Sequence, residues 1–139
     1  MQDLQWTSDD FVFVPELDAA HQKIFRDAEK VRRALEALTP ASSVGFHVWR
    51  LSKTFAAHLA SEERAMRCSQ YAALQWHQLQ HHAGRAKMAR LLEAAHRKDE
   101  ESGRSALQEF MRWLRDHVSL ADRMFAAHLR NDRRESLVS

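Results

Sequence analysis

Histidine and carboxylate side chains recur at short intervals in four separate segments of this 139-residue chain. In chain order they are His21 in LDAAH, His58 and Glu62 in HLASE, His77 and His81 in HQLQH, and His117 and Asp122 in HVSLAD. Residues four apart lie on one face of a helix, so each of the two middle pairs can reach a single centre. The last pair is five apart, and a regular α-helix would point its two side chains about 140° away from each other.

These five imidazoles and two carboxylates have the chemistry of a site for two metal ions. Two carboxylates repel each other inside a protein unless cations lie between them, and neutral imidazoles offer lone pairs to the same cations. Nitrogen and carboxylate ligands without thiolate suit iron, and also zinc, copper or manganese. Seven protein ligands cannot fill two octahedra. We therefore expect a bridging oxygen and at least one open position, where a small molecule would bind.

The elements that position these residues are predicted to be four long helices. Only three glycines and two prolines interrupt the chain, and apolar residues recur at three- and four-residue steps. Short connections between the helices predict an all-α fold, an antiparallel up-down-up-down four-helix bundle in a single domain. That domain spans 1–139, with a non-helical N-terminal arm at 1–16 and helices at about 18–38, 41–66, 71–97 and 104–130.

Two local features of these helices can be predicted. Asp18 is the expected N-cap of the first helix, and a hydrogen bond that orients His21 is the alternative role for it. The five-residue step from His117 to Asp122 predicts a π-type widening or a bend within residues 117–122, because one inserted residue makes i+5 behave roughly like i+4. Without that distortion, Asp122 would point away from the centre that His117 faces.

Charge and composition argue against several classes of protein. The net charge is +2 and no block of one sign dominates, so we expect no nucleic-acid partner. No uncharged apolar run approaches the roughly 20 residues that span a bilayer, so we expect no membrane association. The N-terminus lacks a signal-like pattern, and Cys68 is the only cysteine. These features favour a soluble cytoplasmic protein.

The four histidine and carboxylate motifs resemble those of the bacteriohemerythrins, in the hemerythrin family. The matching segments are LDAAH, FAAHLASEERAM, HQLQH and WLRDHVSLAD. The resemblance runs from Trp6 to about His128, and it keeps the family's order of D-x-x-H, H-x-x-x-E, H-x-x-x-H and H-x-x-x-x-D without a gap. Each motif alone is weak, but four in the right order, one per predicted helix, are a strong signal.

The resemblance implies a non-haem di-iron centre with a bridging oxo or hydroxo group that binds O2 reversibly. The ligands of the coordinatively complete iron would be His77, His81 and His117. Those of the second iron, which keeps a position for O2, would be His21 and His58. The bridging carboxylates would be Glu62 and Asp122. Leu114 would be the apolar residue lining the O2 pocket, and Trp113 would pack beside it.

Several functions are compatible with such a centre. The leading expectation is a non-enzymatic carrier, store or buffer of oxygen. The alternatives are an O2- or redox-sensing module that acts through a partner protein, and a di-iron enzyme that scavenges peroxide or nitric oxide. The partner protein and the oligomeric state stay open at this point.

The remaining histidines and the other distinctive residues have structural interpretations. We expect His47, His82, His96 and His128 at the surface or at helix ends. The methionines at core spacing and two tryptophans are predicted to be core or boundary residues: Met66, Met88, Met111, Met124, Trp49 and Trp76. Cys68 is expected to be an inert thiol at a helix end.

Overall fold

The computed structural model describes residues 5–37 and 41–138, and every regular element within them is helical, with no strand. The long helices are α1 (Pro15–Glu36), α2 (Ala41–Cys68), α3 (Leu74–His96) and α4 (Glu100–His117). A π-helical turn, Val118–Asp122, joins α4 directly to α5 (Arg123–Val138). The last two helices therefore form one long rod.

Consecutive helices pack against each other, and the ring closes where α1 meets α4. Short connections at 69–73 and 97–99 make neighbouring helices run in opposite directions. The predicted all-α four-helix bundle is confirmed. Its core is apolar, and four buried phenylalanines anchor it: Phe25, Phe55, Phe110 and Phe125. A layer of buried imidazoles and carboxylates interrupts that apolar core.

The first helix begins at Pro15, three residues before the predicted start, and the predicted N-cap role of Asp18 is wrong. The N-cap is Val14, and a proline in the first turn suits a helix start because its missing N–H would have no partner there. Asp18 instead accepts hydrogen bonds from the backbone N–H groups of Val12 (2.8 Å) and Phe13 (3.1 Å). Asp18 therefore ties the arm to α1, and its oxygens bond the arm rather than His21.

The other helix ends differ from the prediction by a few residues. The third helix starts at Leu74 rather than near residue 71. The fourth starts at Glu100 rather than near residue 104, because Asp99 caps it by accepting a hydrogen bond from the backbone N–H of Ser102 (3.1 Å). The last helix continues to Val138 instead of ending near 130. The predicted end of the first helix, residue 38, lies outside the described residues.

Some side chains assigned to the core lie at the surface. Met124 is 47% exposed and Trp49 is 53% exposed, so the core or boundary prediction is wrong for both. The Trp49 ring instead contacts the Lys53 ammonium at 5.9 Å. Each of the two exposed residues is the immediate neighbour of a buried residue, Val48 or Phe125, and one step of about 100° round the helix turns its side chain away from the core.

The histidines outside the site and Cys68 largely follow the prediction. His82, His96 and Cys68 are exposed. His47 is half-buried. His128 is also half-buried, and its Nε2 lies 3.0 Å from the carbonyl oxygen of Ser69, so it links α5 to the end of α2.

The N-terminal arm is held by arginines of the long α4–α5 rod. The bonds run from Arg115 to the carbonyl oxygen of Gln5 (2.6 Å), from Arg123 to that of Asp9 (2.9 Å) and from Arg130 to that of Val12 (2.5 Å). A single 3-10 turn, Ser8–Asp10, is the arm's only helical segment among the described residues. Over the described part of the chain, no helix is long and apolar enough to cross a membrane.

Candidate metal centre

All seven predicted site residues are buried at one level of the bundle, and each long helix supplies at least one of them. Their ligand atoms form two overlapping groups, and within each group the atoms lie within 4.8 Å of one another. The first group is Glu62, His77, His81, His117 and Asp122; the second is His21, His58, Glu62 and Asp122. We call His77, His81 and His117 the three-histidine side, and His21 and His58 the two-histidine side.

The two oxygens of Glu62 face opposite sides of this cluster. Oε1 lies 2.7 Å from Nε2 of His77 and 3.1 Å from Nε2 of His81. Oε2 lies 3.3 Å from Nε2 of His58. One carboxylate is therefore shared between the three-histidine side and the two-histidine side.

Asp122 divides its oxygens in the same way. Oδ1 lies 3.0 Å from Nε2 of both His77 and His117, and Oδ2 lies 3.0 Å from Nε2 of His21. Two carboxylates that each present one oxygen to either side have the arrangement needed to bridge two cations.

The π-helical turn at Val118–Asp122 brings Asp122 into this arrangement, and it confirms the predicted distortion. In a π-turn the backbone hydrogen bonds skip one more residue than in an α-helix, so the residue five positions on occupies nearly the place of i+4. His117 and Asp122 consequently meet at the same centre, although they are five residues apart.

The unsatisfied polar atoms test whether these residues fit a metal. Five buried atoms that face the centre lie 3.0–3.3 Å from another atom of the cluster but form no well-aligned hydrogen bond with any described residue: His21 Nε2, His117 Nε2, Glu62 Oε2 and both oxygens of Asp122. A buried polar atom without a partner costs about 1–3 kcal/mol. Cations would satisfy these nitrogen and oxygen atoms together. The residues present therefore fit a pair of metal ions.

Electrostatic interactions within the cluster shift its ionisation equilibria. Burial and the charge of Asp122 both raise the pKa of Glu62, but the close imidazoles of His58, His77 and His81 outweigh them and lower that pKa to about 2. Burial likewise raises the pKa of Asp122, yet the surrounding imidazoles hold it well below its usual range. Burial lowers the pKa of His77, but its close contacts with both carboxylates raise it to about 9. The carboxylates thus stay ionised and attract positive charge.

The two predicted pocket residues lie one turn before His117. Leu114 is fully buried, and the Trp113 ring stacks on the His117 ring with centroids 4.7 Å apart and planes 15° apart. The stack depends on Gly84 of α3, because a Cβ at that position would lie 2.3 Å from the Trp113 ring. Gly84 therefore leaves room for the tryptophan that supports His117.

Sequence reasoning missed three residues around the centre. Glu63 lies 3.4 Å from Nδ1 of His81, Gly84 accommodates Trp113, and the Trp6 ring lies 6.4 Å from the His21 ring. A second glutamate directly after Glu62 was the one visible signal for Glu63. The other two contacts join distant parts of the chain, and no local pattern indicates them.

The fold and the cluster together define a class, which is a helical-bundle protein with a buried cation-binding centre of imidazoles and shared carboxylates. The chain matches the Hemerythrin HHE cation binding domain over residues 12–129, a range that contains all seven clustered residues. The protein belongs to the hemerythrin family, and the resemblance of its four motifs is confirmed. Comparisons with curated proteins and with solved structures found no significant match.

Proposed function

We propose that this domain binds O2 reversibly at a non-haem di-iron centre, as a non-enzymatic carrier, store or buffer in the cytoplasm. The observation that carries the proposal is the unequal sharing of the two carboxylates. Glu62 and Asp122 each present one oxygen to three imidazoles and the other to two imidazoles. Such a centre offers one complete set of ligands and one incomplete set.

This geometry supports the following assignment of ligands. The three-histidine side and two carboxylate oxygens supply five protein ligands to one iron. The two-histidine side and the other two oxygens supply four ligands to the second iron. With a bridging oxo or hydroxo group, the first iron would be complete and the second would keep one position, on the side of His21 and His58. The bound iron pair would supply the electrons that O2 takes up and returns.

The chain's own residues favour reversible binding over turnover. Leu114 is fully buried one turn before His117, and we expect its apolar side chain to lie near the centre. Apolar surroundings exclude water and so slow the loss of a bound oxygen species. No acid, base or nucleophile beyond the seven clustered residues is needed to account for the centre, which supports a binding protein rather than an enzyme.

The test is iron content together with a reversible oxygen spectrum. Protein reconstituted anaerobically with ferrous iron should contain about two irons per chain, as two octahedral sets of nitrogen and oxygen ligands require. Air should produce a visible absorption band that disappears on deoxygenation and returns over repeated cycles. Zinc in place of iron, or one metal per chain, would overturn the assignment. An adduct that decays within seconds would favour the peroxide or nitric oxide scavenger instead.

A pair of adjacent histidines provides a matched control. His81 is fully buried in the cluster, and His82 beside it is exposed. His81→Ala should lower the iron content and abolish the oxygen spectrum, because one iron loses a ligand. His82→Ala should behave as the unsubstituted protein. Equal iron content and equal spectra in both variants would contradict the ligand assignment.

A further inference from the structure

A groove on the bundle surface reaches the two-histidine side of the centre. It has a volume of about 290 Å³ and lies between α1 and α2, with the end of α5 on its rim. His58 and Glu62 are the two clustered residues on its wall, beside small residues such as Ala20 and Ser61. Water-sized molecules fit in the groove, so it admits ligands of a few atoms.

The burial of the imidazoles agrees with an opening at this side. His58 is 8% exposed, the largest exposed fraction among the five clustered imidazoles; His117 is 5% exposed, and His21, His77 and His81 are fully buried. The groove therefore opens where the cluster has fewer imidazoles, which is where an incomplete set of ligands leaves room for an exogenous ligand. The position of the opening and the count of ligands are independent observations that agree.

The wall of the groove carries an excess of positive charge over its outer part. Arg133 is paired with Glu16 at the rim. Lys23 also lines the groove, and it makes no ion pair or hydrogen bond to any described residue. An unpaired cation beside the groove raises the local concentration of anions and their rate of association.

We propose that this groove is the passage by which small anions reach and leave the two-histidine side, with Lys23 attracting them electrostatically. The inference rests on the proposed function only in requiring a metal with an open position there. The ligand class is a monovalent anion of two or three atoms, such as azide, or a reduced oxygen species leaving the centre. Lys23 acts here by its charge and touches no metal ligand directly.

The first experiment blocks the groove and follows azide binding to the oxidised, iron-loaded protein by stopped-flow absorption. Ala20→Phe places a bulky ring in the groove, and Ala19→Phe adds the same ring at an exposed neighbour outside it. Ala20→Phe should slow association and dissociation alike by about tenfold, a barrier increase of about 1.4 kcal/mol, and leave the Kd nearly unchanged. Ala19→Phe should match the parent. Equal association rates in the two variants would contradict the proposal that anions pass through this groove.

The second experiment tests the charge of Lys23. Lys23→Glu should lower the azide association rate by about tenfold at low salt, and the difference should shrink as added salt screens the wall. Lys87→Glu makes the same change of net charge on α3, a helix that does not line the groove. A decrease in the association rate of Lys23→Glu that does not change with salt would refute the attraction by Lys23. An equal decrease in Lys87→Glu would refute it as well.

A third measurement needs no metal and separates this inference from the oxygen-binding proposal. Diethylpyrocarbonate modifies accessible imidazoles, and tryptic cleavage after Lys53 and Arg64 isolates His58 as the single histidine of its peptide. In the metal-free protein His58 should react faster than the fully buried His21, and Ala20→Phe should protect it. Equal reaction of His58 in parent and variant would sink the groove proposal. Iron content and the oxygen spectrum test the function separately.

Discussion

Glu63 is a charged residue outside the seven-residue cluster that lies close to one of the clustered imidazoles. Its Oε2 lies 3.4 Å from Nδ1 of His81 and accepts a hydrogen bond from Arg85 at 2.7 Å. Burial raises the pKa of Glu63, but its bond to Arg85 and the positive charge of Arg85 outweigh this effect and lower it, so the carboxylate stays charged. A carboxylate on the outer nitrogen of a metal-binding imidazole fixes the tautomer whose other nitrogen faces the metal.

Glu63→Gln should therefore weaken the metal affinity of the three-histidine side. Removing such a partner typically costs about 10- to 100-fold in affinity. Competition with a chelator of known affinity measures the change. The matched control is Glu109→Gln, because Glu109 pairs with Arg90 on the bundle surface (3.5 Å) and lies on neither side of the cluster. Equal affinities in the two variants would show that Glu63 does not orient His81.

The helical elements were predictable because each carries its own periodic signal. Apolar residues at three- and four-residue steps indicated four helices, and the five-residue spacing of His117 and Asp122 required a π-turn. The start of α1 was not predicted correctly, because Asp18 has the right side chain for an N-cap while its actual partners belong to the arm. Local residue type cannot reveal a partner that the tertiary fold supplies.

The glycines illustrate the same limit at the level of helix packing. Gly84 and Gly45 both lie inside long helices. Helix propensity alone predicts that each glycine destabilises its helix by about 1 kcal/mol relative to alanine. The structure shows that the two glycines differ in the space around them. A Cβ at Gly84 would collide with Trp113 at 2.3 Å, whereas nothing lies within 4 Å of a Cβ at Gly45. The contact between α3 and α4, rather than helix propensity, explains Gly84.

Alanine at these two glycines should have opposite effects on stability. Gly45→Ala should raise the free energy of unfolding by up to about 1 kcal/mol through helix propensity alone. Gly84→Ala should lower it, because overpacking costs about 1–3 kcal/mol and exceeds the same gain. Urea unfolding of the metal-free protein measures both. Adding Trp113→Phe should relieve much of the loss at Gly84. Two stabilised single variants would contradict the packing of Trp113 against α3.

At the scale of the whole molecule, the cluster and the arm are fastened by different kinds of interaction. The arginines of the α4–α5 rod hold the arm through backbone carbonyl groups, and Asp18 holds it from α1. The centre of the bundle is held by ion pairs between imidazoles and two carboxylates. Glu62 and His77 of this second set have strongly shifted pKa values, so the pH dependence of stability reports on the cluster.

The metal-free protein should be most stable between about pH 4.5 and 6.5. Glu62 has a pKa lowered from 4.5 to about 2, so its contribution is present above pH 4.5 and is lost as the pH falls through about 2. His77 has a pKa raised from 6.5 to about 9, so its contribution is complete below pH 6.5 and is lost as the pH rises through about 9.

The free energy of unfolding in urea should therefore be lower at pH 9.5 than at pH 5.5. His77→Gln should flatten this decline, and the exposed His82→Gln should preserve it. Metal binding at pH 7.5 should release protons, because the cation displaces the proton of His77. Stability that rises steadily from pH 5.5 to 9.5 would mean that the carboxylates do not hold His77 in its charged form.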